Sequence, residues 1–448
     1  MTITAQETTQ KLLKFARDAG AQHADTIYVD GQSVSIDVRE GALEHAERSE
    51  GSDIGLRVII DQKQACVSAS DISDYTLEQM AERAVAMARE APVDEHIGLA
   101  DPDMLVQQWD AAALELADDT DKPTPEQLQE LGLQAEAAAL GVKGVSKAQG
   151  SSAGWSDTSV YLAASNGFEG GYRRTSHSTT CVAIAGDGSN MERDYCGEGR
   201  TYLQDMPDAE TIGHLAGMRA VAKHGAIKPP TGNFPVLFDE RISSTLIGHI
   251  LSAINGVAIL RGSSWLKNDM GAQILPANMS LVEDPYRKRV PGSKPFDAEG
   301  LAVQKQSFFE NGVLKSWVLD LAAARKLGLQ STANAARGVG GPPSPSVGNL
   351  ALIGGQETRQ QLLSDMGTGL LVTGLIGSTI SPTTGDYSRG AHGFWVENGE
   401  IKHPVNECTI AGNLKDMLKT IRAADDAPAH LSRLIPSLLV ERLTIAGA

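Results

Sequence analysis

Between residues 25 and 70, apolar and polar positions alternate in short runs, over 26–29, 33–38, 43–49, 53–60 and 64–70. Such alternation marks half-buried strands, and Asp30-Gly31 and Glu40-Gly41 supply turn chemistry between runs, so an antiparallel meander is expected. On either side, residues 6–19 and 76–91 carry apolar positions at helical spacing, and the second stretch ends in Ala91-Pro92, a helix-stopping pair. An acidic, proline-bearing loop over 118–125 precedes a further helical stretch at 125–140. Strand-like runs fill 145–202, punctuated by Asn166-Gly167, Gly170-Gly171 and Gly186-Asp187-Gly188. A helix over 209–223 closes this half.

The sharpest break is Lys228-Pro229-Pro230-Thr231-Gly232. It divides the chain into an N-terminal α+β domain, 1–228, and a C-terminal domain, 229–448. The second half opens with a strand at 234–238 and one helix over 240–260. Short strands follow, with Asn311-Gly312 and Asn398-Gly399 as turn signals and a clear hairpin over 393–401. Strands come in runs and not in βαβ alternation, so the fold class is α+β. It comprises an N-terminal antiparallel sheet with helices and a C-terminal antiparallel, barrel-like sheet, closed or nearly so. Residues 337–348 read as a long Gly/Pro loop, a candidate for mobility.

Charge narrows the function. With 39 Lys and Arg against 56 Asp and Glu, the net charge is −17. A nucleic-acid binder needs cations to displace counterions along the phosphates, so no nucleic-acid partner is expected. Cys66, Cys181, Cys196 and Cys408 are too scattered for a disulfide framework or a metal knuckle and read as reduced thiols of a cytoplasmic protein. The first residues carry neither a basic nor an apolar signal segment. Residues 242–260, though free of Asp, Glu, Lys and Arg, are too polar to span a membrane; no membrane partner is expected.

Catalytic motifs are sparse. No His is followed by Glu, and the ten His are spread too widely for a local ligand pair. Gly150-Ser151-Ser152-Ala153-Gly154 fits the Gly-x-Ser-x-Gly elbow, but the elbow needs a helix after it. The residues that follow alternate like a strand, so the match reads as a turn between two strands. Asp297 and Glu299 read as turn and cap formers.

Four stretches point further: Gly369-Leu-Leu-Val-Thr-Gly-Leu-Ile-Gly377, Gly385-Asp-Tyr-Ser-Arg-Gly-Ala-His-Gly393, the hairpin after it, and Thr409-Ile-Ala-Gly-Asn-Leu-Lys-Asp416. With Val38-Arg-Glu-Gly-Ala-Leu-Glu44 and Gly55-Leu-Arg-Val58, they resemble the TldD/PmbA family, bacterial proteins once described as modulators of DNA gyrase. The resemblance is to the PmbA/TldE side of the family. It implies zinc-dependent peptide hydrolysis in which a TldD-type chain carries a His-Glu-x-x-x-His helix and a Cys in a later loop. Here Gly248 and Ala253 fall at the two His positions and His249 at the Glu, and residues 423–435 contain no Cys.

The resemblance therefore implies a PmbA/TldE-type subunit of a cytosolic TldD/TldE metalloprotease that degrades or matures unfolded peptides. Neither a catalytic residue nor a metal is expected in this chain, and zinc is expected in a TldD-type partner. Alone, the chain is expected to form a homodimer through its C-terminal half, burying at least roughly 1,600 Å². The alternative is a homodimeric peptide-binding or chaperone-like protein without enzymatic activity; a serine hydrolase using Ser152 is least favoured. His249, Arg389 and His392 are the candidates to line the peptide cavity, and Gly385, Gly390 and Gly393 to shape its loop. Against this, His249 reads more readily as a buried, hydrogen-bonded core histidine and His392 more readily as a structural one, while Arg389 reads equally as an internal lock on Asp386.

Overall fold

The computed structural model describes residues 4–447. The N-terminal half is one six-stranded antiparallel sheet. Its strands are β1 (His23–Arg39), β2 (Ala42–Ile60), β3 (Lys63–Ala69), β4 (Val145–Ala164), β5 (Glu169–Ala185) and β6 (Glu192–Arg200), in the order β3-β2-β1-β4-β5-β6. Four helices accompany them: α1 (Ala5–Asp18), α2 (Asp74–Glu90), α3 (Pro125–Leu140) and α4 (Ala209–Ala222). Thr4 and Thr124 start α1 and α3 with capping boxes, each closed by the side chain three residues on.

Alternation along β1 assigns the two faces. Tyr28, Val34, Ile36 and Val38 pack with α1, α2 and α3, whereas Ile27 and Val29 pack on the other face against Phe296 and Val339 of the C-terminal half. The meander is longer and straighter than expected. The turn assigned to Asp30-Gly31 is absent, because β1 runs unbroken between β2 and β4 and its ladder bonds outweigh a local turn preference. The turn at Glu40-Gly41 forms, with φ of 54° and 73°. Gly150–Gly154 lies inside β4, not at a turn, and Ser151 pairs with Cys181 on β5.

The two edges of this sheet differ. On β6 three carbonyls are occupied: Lys223 Nζ donates to Arg193 O (3.3 Å), Arg219 to Tyr195 O (3.1 Å) and Arg200 to Gly199 O (2.8 Å). On the opposite side β3 covers β2 only over 54–60. Residues 42–53 are nearly all exposed and have no second strand neighbour among the described residues.

The C-terminal half begins with β7 (Gly232–Phe238), which joins the strands Gly369–Ile380, Asp386–Glu397, Glu400–Asn413 and Leu438–Ala446. Pairing of Thr409–Ala411 with Thr444–Ala446 closes the five into a barrel. It departs from the expected antiparallel pattern at one seam, where β7 runs parallel to 369–380. The helix expected over 240–260 is two: α5 (Glu240–Ala253) and a short turn, Gly256–Leu260. Asn255 intervenes, capping the Val257 amide and bridging to Val318. Residues 337–348 are tied down. Ser344–Pro345 pairs with Ala335–Ala336, Arg337 pairs with Asp25, and the Val339 carbonyl sits where a Cβ on Gly55 would stand. The glycine-spaced segment after Gly385 is barrel strand and not loop.

Candidate functional site

A cleft of about 830 Å³ opens between β4–β6 and the barrel. Its N-terminal wall includes Glu192, Asp194 and Lys223; its barrel wall includes Gly374, Gly390, His392 and Cys408. His392 belongs to the strand Asp386–Glu397, beside a bulge between Ala391 and Gly393, and its ring lies over Gly374, where a Cβ would come within 2.1 Å of Nε2. The strand is pressed against its neighbour at Gly393, where a Cβ would meet Leu371 O at 1.9 Å.

An ionic chain runs from the cleft into the protein. Lys223 Nζ stands 3.0 Å from His392 Nε2 and 2.9 Å from Asp194 Oδ2. Arg241 bridges Asp194 (3.2 Å) and Asp239 (3.1 Å), and Arg359 reaches Asp239 at 2.6 Å. Asp194 and Lys223 come from the N-terminal half and the others from the C-terminal half, so the chain fastens the two together. Burial, and then the Lys223 charge, bring the His392 pKa down to about 4, so the ring is a neutral acceptor facing an ammonium donor. Burial would lift the Asp194 carboxyl, yet Lys223 and Arg241 hold it below its ordinary value. Glu240 is pushed up by burial and by the Asp239 carboxylate beside it.

The sequence candidates separate into two places. His392 and Gly390 line the cleft. His249 and Arg389 meet instead around Tyr387: the His249 and Tyr387 rings contact edge-to-face at 5.9 Å, and Arg389 shares a strand face with Tyr387. His249 Nε2 and the Tyr387 hydroxyl are buried without hydrogen-bond partners, and burial, then the Arg389 charge, lowers the His249 pKa. Arg389 donates from Nε to Gly377 O (2.8 Å), while Asp386 accepts from Thr384 and Asn413, so the Arg389–Asp386 lock does not form. Gly385, with φ of 81°, turns the chain into the strand.

The donor set does not fit a zinc ion. Gly248 and Ala253 carry no ligand atom, and the Arg433 guanidinium, which offers no lone pair to a metal, comes within 3.8 Å of where a Cβ on Gly248 would stand. Cys408 is buried, donates to Ala391 O and has its pKa raised to about 11 by burial. Among the described residues no three His, Cys, Asp or Glu side chains come together as a metal site, and no helix is long and apolar enough to cross a membrane.

Sequence reasoning missed Asp194, Lys223, Arg241 and Arg359, each of which reads as an ordinary surface charge. The one local signal was Asp239-Glu240-Arg241, three charges directly after the fully buried strand end at Phe238.

Three family models match successive stretches of the chain. Residues 24–88 match domain 1 of the PmbA/TldA metallopeptidases, residues 118–223 their central domain and residues 231–447 their C-terminal domain. The chain is 34% identical to the metalloprotease PmbA of Escherichia coli O157:H7, over 92% of this chain and 90% of the relative. It is 35% identical to a PmbA homologue of Haemophilus influenzae, over 97% and 94%. A crystal structure of a candidate modulator of DNA gyrase from Bacteroides thetaiotaomicron superposes with a TM-score of 0.92 at 26% identity, covering all of both chains.

Proposed function

Since this chain belongs to the PmbA/TldD metallopeptidase family, we propose that it is the PmbA/TldE-type subunit of a two-chain protease. It holds unfolded peptide for a TldD-type partner, which supplies the zinc. The observation that carries this reading is Arg433 standing beside Gly248, with Ala253 further along the same helix, where the family's metal ligands would lie. Metal affinity rests on a complete ligand set, so the chain's own residues are left to bind and orient. The cleft beside His392 is large enough for several residues of peptide. Its β6 edge favours side-chain contacts over strand addition there, because three of its carbonyls already have donors.

The test is elemental analysis of the purified chain, followed by peptide cleavage with and without a TldD-type chain. The expected result is no stoichiometric zinc, no cleavage alone and restored cleavage in the mixture. One zinc per chain with chelator-sensitive cleavage by this chain alone would overturn the reading. Peptide binding with no effect on a partner's cleavage would favour a stand-alone binding protein.

A further inference from the structure

On the face of the N-terminal sheet away from its helices lies a separate groove of about 320 Å³. Its floor is apolar, built from Ile27, Val29, Val160 and Leu162 on β1 and β4, with Phe296 and Val347 of the C-terminal half above. Four charged side chains line it: Arg174, Lys294, Arg337 and Asp297. Three cations to one anion is a local reversal in a chain of net charge −17.

The anion is committed mainly to backbone amides. Asp297 accepts the Glu299 and Leu301 amides at 2.9 and 3.0 Å on Oδ1 and the Ala335 amide at 3.1 Å on Oδ2, and makes no ion pair among the described residues. Arg337, its side chain 1% exposed, spends one arm on Asp25; its Nε and Nη2 groups are buried with no acceptor among the described residues. Buried donors left open carry a desolvation cost that an arriving acceptor removes. Lys294 makes no side-chain hydrogen bond or ion pair among the described residues; burial lowers its pKa, while Asp297 and Glu283 favour its charge at longer range and an arriving anion would favour it further. Arg174 is held by the carbonyls of Pro291 and Ser293 and stacks on Tyr172 at 4.8 Å, which fixes its charge without cancelling it.

We propose that this groove binds the terminal carboxylate of a short peptide, with the last side chain on the apolar floor. A carboxylate presents two acceptors to a guanidinium fork and an ammonium. A volume near the lower end of ligand pockets suits one or two residues. A free phosphate would meet the same cations but leave the floor uncovered. The inference extends the peptide-handling reading to one end of the peptide, yet testing it needs neither a partner nor cleavage.

The experiment is calorimetric titration of the full chain with an N-acetylated tripeptide ending in leucine, as free acid and as amide, with inorganic phosphate as a third ligand. The free acid should bind at least about tenfold tighter than the amide, the worth of one charge-assisted hydrogen bond, and phosphate should bind more weakly than the acid. Lys294→Met and, separately, Arg174→Gln should erase the acid preference with the melting temperature kept; if one fails to fold, the other decides. Equal binding of acid and amide, or an undiminished preference in the folded variants, overturns the proposal. Phosphate binding as tight as the acid overturns the peptide assignment. An intact acid preference alongside failed partner-supported cleavage would refute the subunit reading and leave this one standing.

Discussion

A lysine ammonium 3.0 Å from Nε2 leaves His392 the role of neutral acceptor, and that has a measurable pH signature. Its folded pKa, about 4, lies below the ordinary value near 6.5, so on acidification the unfolded chain takes up a proton that the folded chain refuses. Stability tied to His392 is complete above about pH 6.5 and lost as pH falls toward about 4, by up to roughly 3 kcal/mol. Glu240, with its pKa raised, acts in the opposite sense: its contribution is complete at low pH and lost as pH rises through its folded value. Denaturant unfolding of wild type and His392→Asn across this range separates the two. The wild type should lose stability relative to the variant on acidification; a difference that stays constant would assign the proton elsewhere. Arg389 calls for a different measurement. Its bond to Gly377 O lies on an exposed group, so Arg389→Ala should barely move the melting temperature. Partner-supported cleavage should fall roughly ten- to a hundredfold if the guanidinium engages peptide, the worth of a charge-assisted hydrogen bond. A lower melting temperature with normal activity per folded molecule would make it a structural residue. The histidines drew notice in the sequence because their chemistry is rare. Asp194 and Lys223 did not, because only the docking of a strand edge and a helix end from one half onto the barrel gives their charges a purpose.

At the level of elements, local signals were reliable where a turn residue had no competitor. Asn398-Gly399, with φ of 54° and 76°, closes the hairpin expected from its sequence, and α3 spans Pro125–Leu140, as its cap and periodicity imply. They were misleading where a neighbour intervened. Asp30 and Gly31 are paired on both sides, to Ser52 and Gly51 and to Ser159 and Thr158, and two ladders straighten a segment that alone would turn. The parallel seam between β7 and Gly369–Ile380 depends on strands far apart in sequence, and alternation says nothing about direction. The same logic makes glycines unequal. Gly393→Ala places a methyl against the Leu371 carbonyl at 1.9 Å, a backbone clash that one side chain cannot relieve, and should cost at least about 3 kcal/mol. Gly51→Ala, with nothing within 4 Å, should be neutral or stabilising by up to about 1 kcal/mol. Chemical unfolding of both variants checks the contrast; similar losses would mean that the barrel strand yields.

Across the whole molecule, Asp194 is one of the joints between the two halves. Its carboxylate, 4% exposed, serves Lys223 and Arg241 at once. Asp194→Ala leaves Lys223 without a carboxylate and Arg241 with Asp239 alone and should cost about 3–5 kcal/mol, of which Lys223→Met in the same chain should return part, because removing both partners relieves the stranded charge. Additive losses in the double variant, read from denaturant midpoints, would show that the two residues act independently. The unequal sheet edges reach further, into how the protein behaves as a colloid. Growth of the sheet by a neighbouring molecule is blocked at β6 and open along residues 42–53, and that open stretch carries Glu44, Glu47, Glu50 and Asp53 against a single Arg48. Two such edges repel in dilute buffer, and the repulsion reaches only about 10 Å at 0.1 M salt. Self-association along this edge, followed by light scattering, should therefore rise with ionic strength, and Glu47→Lys should bring it on at lower salt; kept in dilute buffer, the acidic stretch 42–53 turns its own copies away.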